Sequence, residues 1–515
     1  MRAAIGMKVP FKLSHKTSTR EPEREAKYHI AMQKFRSHAL TQALALSLAL
    51  LISFPAHALE LPDLGEASRL TLSEAHEDRI GREIMRQIRD SGEYLDDPVL
   101  AEYLNDLGER LAAASPEPGR LFELFPVQDA SINAFALPGG YIGVHTGLIA
   151  AARNESELAG VLAHEIAHVT QKHIARIVDA QKSSGIASLV GLAIAILAAR
   201  SSPEAAQAAI VTTQAMSIQN QLDFTREHER EADRTGLQIL SAAGFSPQGM
   251  GTFFERLQAQ GRLYENNAPA YLRTHPLTYE RIADIQNRLS SLPYRQFSDS
   301  LEFPLVRARV QAAAGEARDA LREFEVKVRD QPTAADWYGL SQASLRMGEM
   351  DQATRALDAA ISLSAPSRLF DLARAEQALA RGQAALAAQI SSAALDMNSA
   401  YRPLAYVHVK ALLRDRKAQQ ALDFLTQRQR IWVSDATLFA LKAQAHQALG
   451  QSAESFLAQA EAYALADRTG AAIEQLQMAQ RLGKADFYTL SIIDARMREL
   501  RERQQEETQR RQAKQ

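Results

Sequence analysis

The sequence contains no cysteine among its 515 residues. That absence excludes disulfides, thiolate zinc fingers, iron–sulfur clusters, a cysteine nucleophile and a lipid-anchored cysteine behind an export signal. Any metal site must therefore be built from His, Asp and Glu. The chain also lacks an excess of either charge, with 59 Lys and Arg against 61 Asp and Glu and a formal charge of −2. Nucleic-acid binding driven by phosphate neutralisation calls for an obviously basic domain, so that class is set aside. Long apolar runs are scarce as well, and the two that exist stop short of a clear membrane span.

The first run covers residues 39–56, uncharged and dominated by Leu and Ala, with Lys34 and Arg36 before it and Ala56-His57-Ala58 closing it. A basic flank, an apolar core and a small-x-small ending describe a secretory signal peptide cleaved after Ala58. Its length is borderline for an anchor, and its serines and Pro55 favour the signal. Met32 sits where such a signal would begin, so residues 1–31 read as a lead ahead of the true start. Residues 1–58 hold nine of the basic and three of the acidic residues, leaving 50 against 58 in a mildly acidic exported protein. The second run, Ile186 to Ala199, is interrupted by Ser188 and Gly191 and falls short of the roughly 20 residues a spanning helix needs. It reads as a buried or lid-forming helix in a mobile insertion over 183–220, with membrane contact as the other reading.

Past the signal the chain has two grammars. Residues 59–300 are mixed: helical patterns at Glu74 to Ser91 and Pro98 to Ala113, a turn-rich, strand-like section from Phe122 to His145, then long helices. Residues 301–484 are rich in Ala, Leu, Gln and Arg with almost no strand signal. Gly348, Gly382 and Gly450 fall on a 34-residue period, with Arg416 in the intermediate slot, and Ala353, Ala387, Ala421 and Ser455 follow five residues later in each unit. That period, with small residues at turn and helix contact, is the signature of tetratricopeptide repeats. Gly315 and Ala320 form an earlier copy shifted by one residue, and Gly470 with Ala472 an out-of-register last one. Residues 485–515 read as a charged C-terminal helix or tail. The fold class is α+β: a mostly helical domain with a small sheet, followed by an all-α repeat superhelix.

The strongest local signal is His164-Glu165-Ile166-Ala167-His168. Asn154 can cap the helix that carries it, Glu157 stands where a capping-box partner would, and Leu158, Val161, Leu162, Ile166 and Val169 recur on one side. Positions i and i+4 put both imidazoles on one helix face, able to share an ion. Glu165 is rotated off that line, towards a metal-bound water. A zinc that activates water needs three protein ligands and an open position. His173 is one residue out of register for a third histidine on the metzincin pattern and reads as a surface helix residue. In the segment Arg226 to Gln238, Glu229 and Asp233 face the same way. Glu229 can complete the ligand set while Asp233 holds a ligand imidazole by its other nitrogen; Glu227, Glu231 and His228 are competing ligand candidates. Pro138-Gly139-Gly140 is a turn, and Tyr141-Ile142-Gly143-Val144 a β-prone run expected as an edge strand near the metal helix, able to bind an extended peptide by backbone pairing.

These motifs, with Asn133-Ala134-Phe135-Ala136-Leu137-Pro138-Gly139-Gly140 upstream and Thr274-His275-Pro276 and Glu280-Arg281-Ile282 downstream, resemble peptidase family M48, a gluzincin family. The resemblance covers about 240 residues. It implies a gluzincin-type fold over 59–300 with one Zn2+ per chain held by His164, His168 and Glu229, Glu165 as general base, and Asp233 as an acidic residue behind the ligands that can also donate a proton. It implies that His275 fills the fourth position and keeps the enzyme latent. Together with the signal and repeats, it implies a periplasmic endopeptidase acting on unfolded or misassembled outer-membrane proteins. The repeats would dock on the outer-membrane β-barrel assembly machinery and its lipopolysaccharide-transport member, close to the membrane. A second donor to the oxyanion is expected, with Arg307 and Arg309 as candidates. A chaperone or scaffold with vestigial proteolysis is the rival reading, and the intact Glu165 speaks against it.

Overall fold

The computed structural model describes residues 73–180, 226–263, 269–293, 295–482 and 486–512. The signal-peptide reading and the whole of the insertion at 183–220 lie outside them. The described residues belong to a compact unit running from Ala67 to Gln515, and no described helix is long and apolar enough to cross a membrane.

The first half is built around the motif helix, Glu155–Thr170. Asn154 caps it by accepting the Glu157 N–H at 2.9 Å. Glu157 does not close the expected capping box. Its carboxylate takes the Arg153 N–H at 2.7 Å and both terminal nitrogens of Arg256, tying the helix start to the helix Gln248–Leu263. The apolar stripe understates the burial, because every residue of the motif helix is buried. Helices Pro98–Ala113, Arg226–Ala242 and Gln248–Leu263 and the sheet enclose it. The approach of Arg226–Ala242 depends on Gly236: a Cβ there would lie 3.2 Å from the His164 backbone. Without a side chain at that point the two helices can meet at backbone distance, and Glu229 and Asp233, two and one turns upstream, face His164.

The sheet has three strands in the order β1-β3-β2, with β1 Glu123–Val127, β2 Ala134–Ala136 and β3 Tyr141–His145. The expected edge strand at Tyr141 is instead the central one, parallel to β1 and antiparallel to β2. The outer side of β1 is covered by residues 93–95, which bond Pro126 and Gln128 and bridge Tyr94 to Val127. The edge beside the motif helix is β2. Bonds from Leu137 N to Tyr141 O and from His145 N to Asn133 O show that odd-numbered residues face β3, so the N–H and C=O of Ala134 and Ala136 point away from the sheet.

From Glu302 the chain runs as antiparallel helix pairs: Glu302–Ala313 with Ala317–Lys327, Ala334–Met347 with Met350–Ser362, Arg368–Ala380 with Ala384–Met397, Arg402–Arg414 with Ala418–Gln429, and Ala436–Ala448 with Ser452–Leu465. Gly348, Gly382, Arg416 and Gly450 occupy the intra-pair turns, all with positive φ of 80°, 76°, 59° and 76°. The 34-residue period thus records a left-handed turn position, which Arg416 fills at a steric cost. Ala353, Ala387 and Ala421 are fully buried where the paired helices touch. Gly470 lies inside the helix Thr469–Leu482, and Asp467 takes the left-handed position before it. The last helix, Phe487–Gln512, is not a free tail: Ile493, Met497 and Leu500 pack on the preceding pair, and Arg496 is bidentate to Glu461.

The change of grammar near residue 300 is a change of architecture without a loose joint. Ser300 bonds Glu155, Asp299 bonds Ser156, and Arg368 bridges Asp106 and Glu302. At the far end of the array Arg468 reaches Asp90 at 3.0 Å.

Candidate metal centre

The buried face of the motif helix meets the helix Arg226–Ala242 and the turn at His275. One ligand atom each from His164, His168, Glu229 and His275 lie within 4.8 Å of one another, all four residues buried. The two Nε2 atoms of His164 and His168 are 3.0 Å apart. Glu229 lies 3.4 Å from the first and 3.5 Å from the second. His275 Nδ1 is 2.9 Å from Glu229 Oε1, and its Nε2 is 3.6 Å from Glu165 Oε1. Tyr271 stacks on the His275 ring at 4.6 Å.

Behind these residues sits a shell that orients them. Asp233 Oδ1 is 3.0 Å from His164 Nδ1. Arg281, 1% exposed, grips both Asp233 oxygens at 2.7 Å, meets Glu229 Oε2 at 2.6 Å and donates to the Pro276 carbonyl at 2.9 Å. One guanidinium therefore joins the helix Arg226–Ala242 to the turn that carries His275. The Glu-Arg-Ile stretch was legible as part of a motif, but the role of Arg281 was not, because only the fold brings it 48 residues back to Asp233.

Electrostatics within the cluster pull in opposite directions. Burial disfavours a charged His164, yet Asp233 and Glu229 outweigh it and lift the imidazole to about 9. Burial, assisted by the neighbouring His164, drives His168 well below its ordinary value. Burial pushes Glu165 up, against the pull of His275 and His164 and the Ala136 N–H. Burial would raise Glu229 and Asp233 too, but His275 for the first and Arg281 for the second hold them below the usual carboxylate range. Opposed shifts in one buried cluster mark a site of chemistry.

The donor set fits a divalent cation. With Asp233 accepting from His164 Nδ1, the Nε2 lone pair of that ring faces the second Nε2 and a carboxylate, an arrangement a cation satisfies. Imidazole and carboxylate without thiolate suit zinc, and the buried Glu165 carboxylate lies beside the set, 3.6 Å from His275.

Several expectations are corrected. Arg307 and Arg309 are not near the cluster: Arg307 donates to the carbonyls of Ala152 and Arg153, and Arg309 to Asp97, Gln342 and Glu376. Both hold the repeat array against the first half, a pairing the sequence could not disclose. His173 is not a surface residue but fully buried, its Nδ1 2.8 Å from Nδ1 of His168. Of the competing ligands, Glu227 is exposed, Glu231 bonds Arg176 and faces His173, and His228 stacks on His173 at 4.5 Å.

A family model described as peptidase family M48 matches residues 98–289. The beta-barrel assembly-enhancing protease of Escherichia coli (strain K12) is 34% identical over 453 residues, 86% of this chain and 92% of that protein. The putative beta-barrel assembly-enhancing protease of Vibrio cholerae is 34% identical over 447 residues with the same coverage. The mitochondrial metalloendopeptidase OMA1 of Schizosaccharomyces pombe is 32% identical over 188 residues, 36% of this chain and 52% of that protein.

Proposed function

We infer the function from the family and the site together: the chain belongs to peptidase family M48, and it is a zinc metalloendopeptidase. In our reading His164, His168 and Glu229 hold the zinc, and the observation that carries it is their convergence with His275 at one buried point, beside the buried Glu165. Zinc supplies Lewis acidity towards the attacking water and the scissile carbonyl. Glu165 takes a proton from that water at its carboxylate and returns it to the leaving nitrogen, a role that suits a carboxyl whose affinity for protons burial has raised. Asp233, fixed by Arg281, keeps the His164 ring turned with Nε2 inward. The even-numbered backbone groups of β2, of which the Ala136 N–H reaches Glu165, form the edge on which substrate adds as a strand, with little sequence demand.

His275 is the regulatory residue of this reading. In this reading its place beside Glu165 and Glu229 keeps substrate and water from the site and holds the enzyme latent, which the two short distances support. The relatives that match over most of their length are named as proteases that enhance beta-barrel assembly; in our reading this chain acts in that process at the outer membrane, from the periplasm, on unfolded or misassembled outer-membrane proteins. The repeat array docks it on the assembly machinery.

The test compares wild type, Glu165→Gln and His275→Ala on an unfolded outer-membrane protein, with and without chelator. Cleavage is expected to vanish with chelator and with Glu165→Gln and to rise in His275→Ala. Unchanged cleavage in the first two conditions refutes the peptidase site, and no gain in His275→Ala refutes latency.

A further inference from the structure

The two histidines of the motif helix are supported differently. The outer nitrogen of His164 meets a carboxylate, Asp233 at 3.0 Å. The outer nitrogen of His168 meets another imidazole, the Nδ1 of His173 at 2.8 Å. Two ring nitrogens at that distance share one proton, with one donating and one accepting. A ring that offers Nε2 to a cation keeps its proton on Nδ1. His168 must then donate, and His173 must accept at Nδ1 and carry its own proton on Nε2. That nitrogen lies 3.3 Å from Glu231 Oε2, an oxygen that also accepts from Arg176 at 2.8 Å. Every polarity in the series is consistent: His168 donates to His173, His173 to Glu231, and Arg176 to Glu231. The opposite arrangement would put the His168 proton on Nε2, pointing at His164 Nε2 3.0 Å away, and remove a ligand.

The backbone is shaped to make this contact. On a continuous helix a residue five positions after His168 would be rotated well away from it. Here the motif helix stops at Thr170, and Lys172 turns the chain with φ of 54°, a left-handed conformation unusual for a lysine. The next helix, His173–Ala180, starts immediately and presents its first side chain back to His168. His228, from the helix that supplies Glu229, lies parallel to the His173 ring and fixes its plane. His168 and His173 are both fully buried, so bulk water is no substitute acceptor.

We propose that His173 is a positioning residue of the metal centre: by accepting the Nδ1 proton of His168 it selects the tautomer and ring orientation in which His168 can hold the ion. This rests on the reading of His168 as a ligand. Losing such an outer partner weakens metal binding by roughly 10–100-fold. His173→Phe fills the space without an acceptor, whereas His173→Asn places an amide oxygen near the lost Nδ1.

The experiment measures zinc affinity of the purified full chain by competition with a chromophoric chelator, for wild type, His168→Ala, His173→Phe and His173→Asn, alongside thermal unfolding of each zinc-free protein. The expected result is a loss of about 10–100-fold in His173→Phe, recovered to within a few-fold in His173→Asn. Wild-type affinity in His173→Phe overturns the proposal, and so does a loss of zinc-free stability with affinity unchanged. If His168→Ala holds zinc as tightly as wild type, the ligand assignment itself fails, which separates the two. Should His173→Phe not fold, 15N-histidine spectra of the zinc-loaded wild type decide: a protonated Nε2 and bare Nδ1 on His173 support the proposal, and the reverse overturns it.

Discussion

Arg281 should be the most costly single side chain to remove from the first half of this protein. Its guanidinium is 1% exposed and makes four contacts of 2.6–2.9 Å, two to Asp233, one to Glu229 and one to the Pro276 carbonyl. The two carboxylates are themselves 2% exposed, so Arg281→Met would leave their charge in a low dielectric with one cation fewer to answer it. Removing one partner of a buried pair costs about 3–5 kcal/mol, far more than the intact pair contributes. At ~2 °C per kcal/mol for a large domain, the zinc-free protein should melt roughly 6–10 °C lower. The assay is chemical and thermal unfolding without zinc, so that lost ligand binding adds nothing. A double-mutant cycle identifies the cause. If stranded charge is the penalty, adding Asp233→Asn to Arg281→Met should recover part of it, with a coupling above about 1 kcal/mol. A loss below about 1 kcal/mol, or additivity within about 0.5 kcal/mol, would refute the reasoning.

Three further outcomes follow from particular residues. Arg416 holds φ at 59° where its repeat counterparts are glycine, so Arg416→Gly should stabilise the array by about 1 kcal/mol, read as a higher denaturation midpoint. Gly339→Ala should destabilise by at least about 2 kcal/mol in the same assay, because its Cβ would lie 2.0 Å from the Phe324 ring. Burial would raise Glu157, but the Arg256 fork and the Arg153 N–H outweigh it and hold the carboxyl below its ordinary 4.5. Its stabilisation is then present above pH 4.5 and lost as pH falls through the lower folded value. The stability gap between wild type and Glu157→Gln should be flat at neutral pH and close only in acid; a gap that changes between pH 6 and 8 contradicts this.

Local chemistry was legible wherever the signal lay within a few residues. The i, i+4 histidines, the Asn154 cap and the 34-residue turn period are short-range patterns, and helical geometry converts them directly into facing side chains or left-handed turns. The capping box misled because Arg256, 99 residues downstream in the chain, competes successfully for Glu157. The edge-strand reading misled because strand order depends on what lies alongside, and β1 reaches Tyr141 from 18 residues upstream.

By itself, the sequence determined the kinds of atoms available for chemistry, which for a chain without cysteine are imidazole and carboxylate, and it placed two of them one helical turn apart. Tertiary structure alone decided which distant groups surround them. Spacing along the chain does not specify distance in space, so packing had to bring His275 within 2.9 Å of Glu229. Packing also made Arg281 the clamp on Asp233, sent Arg307 and Arg309 to the seam with the repeats, and turned His173 from the surface to the back of His168.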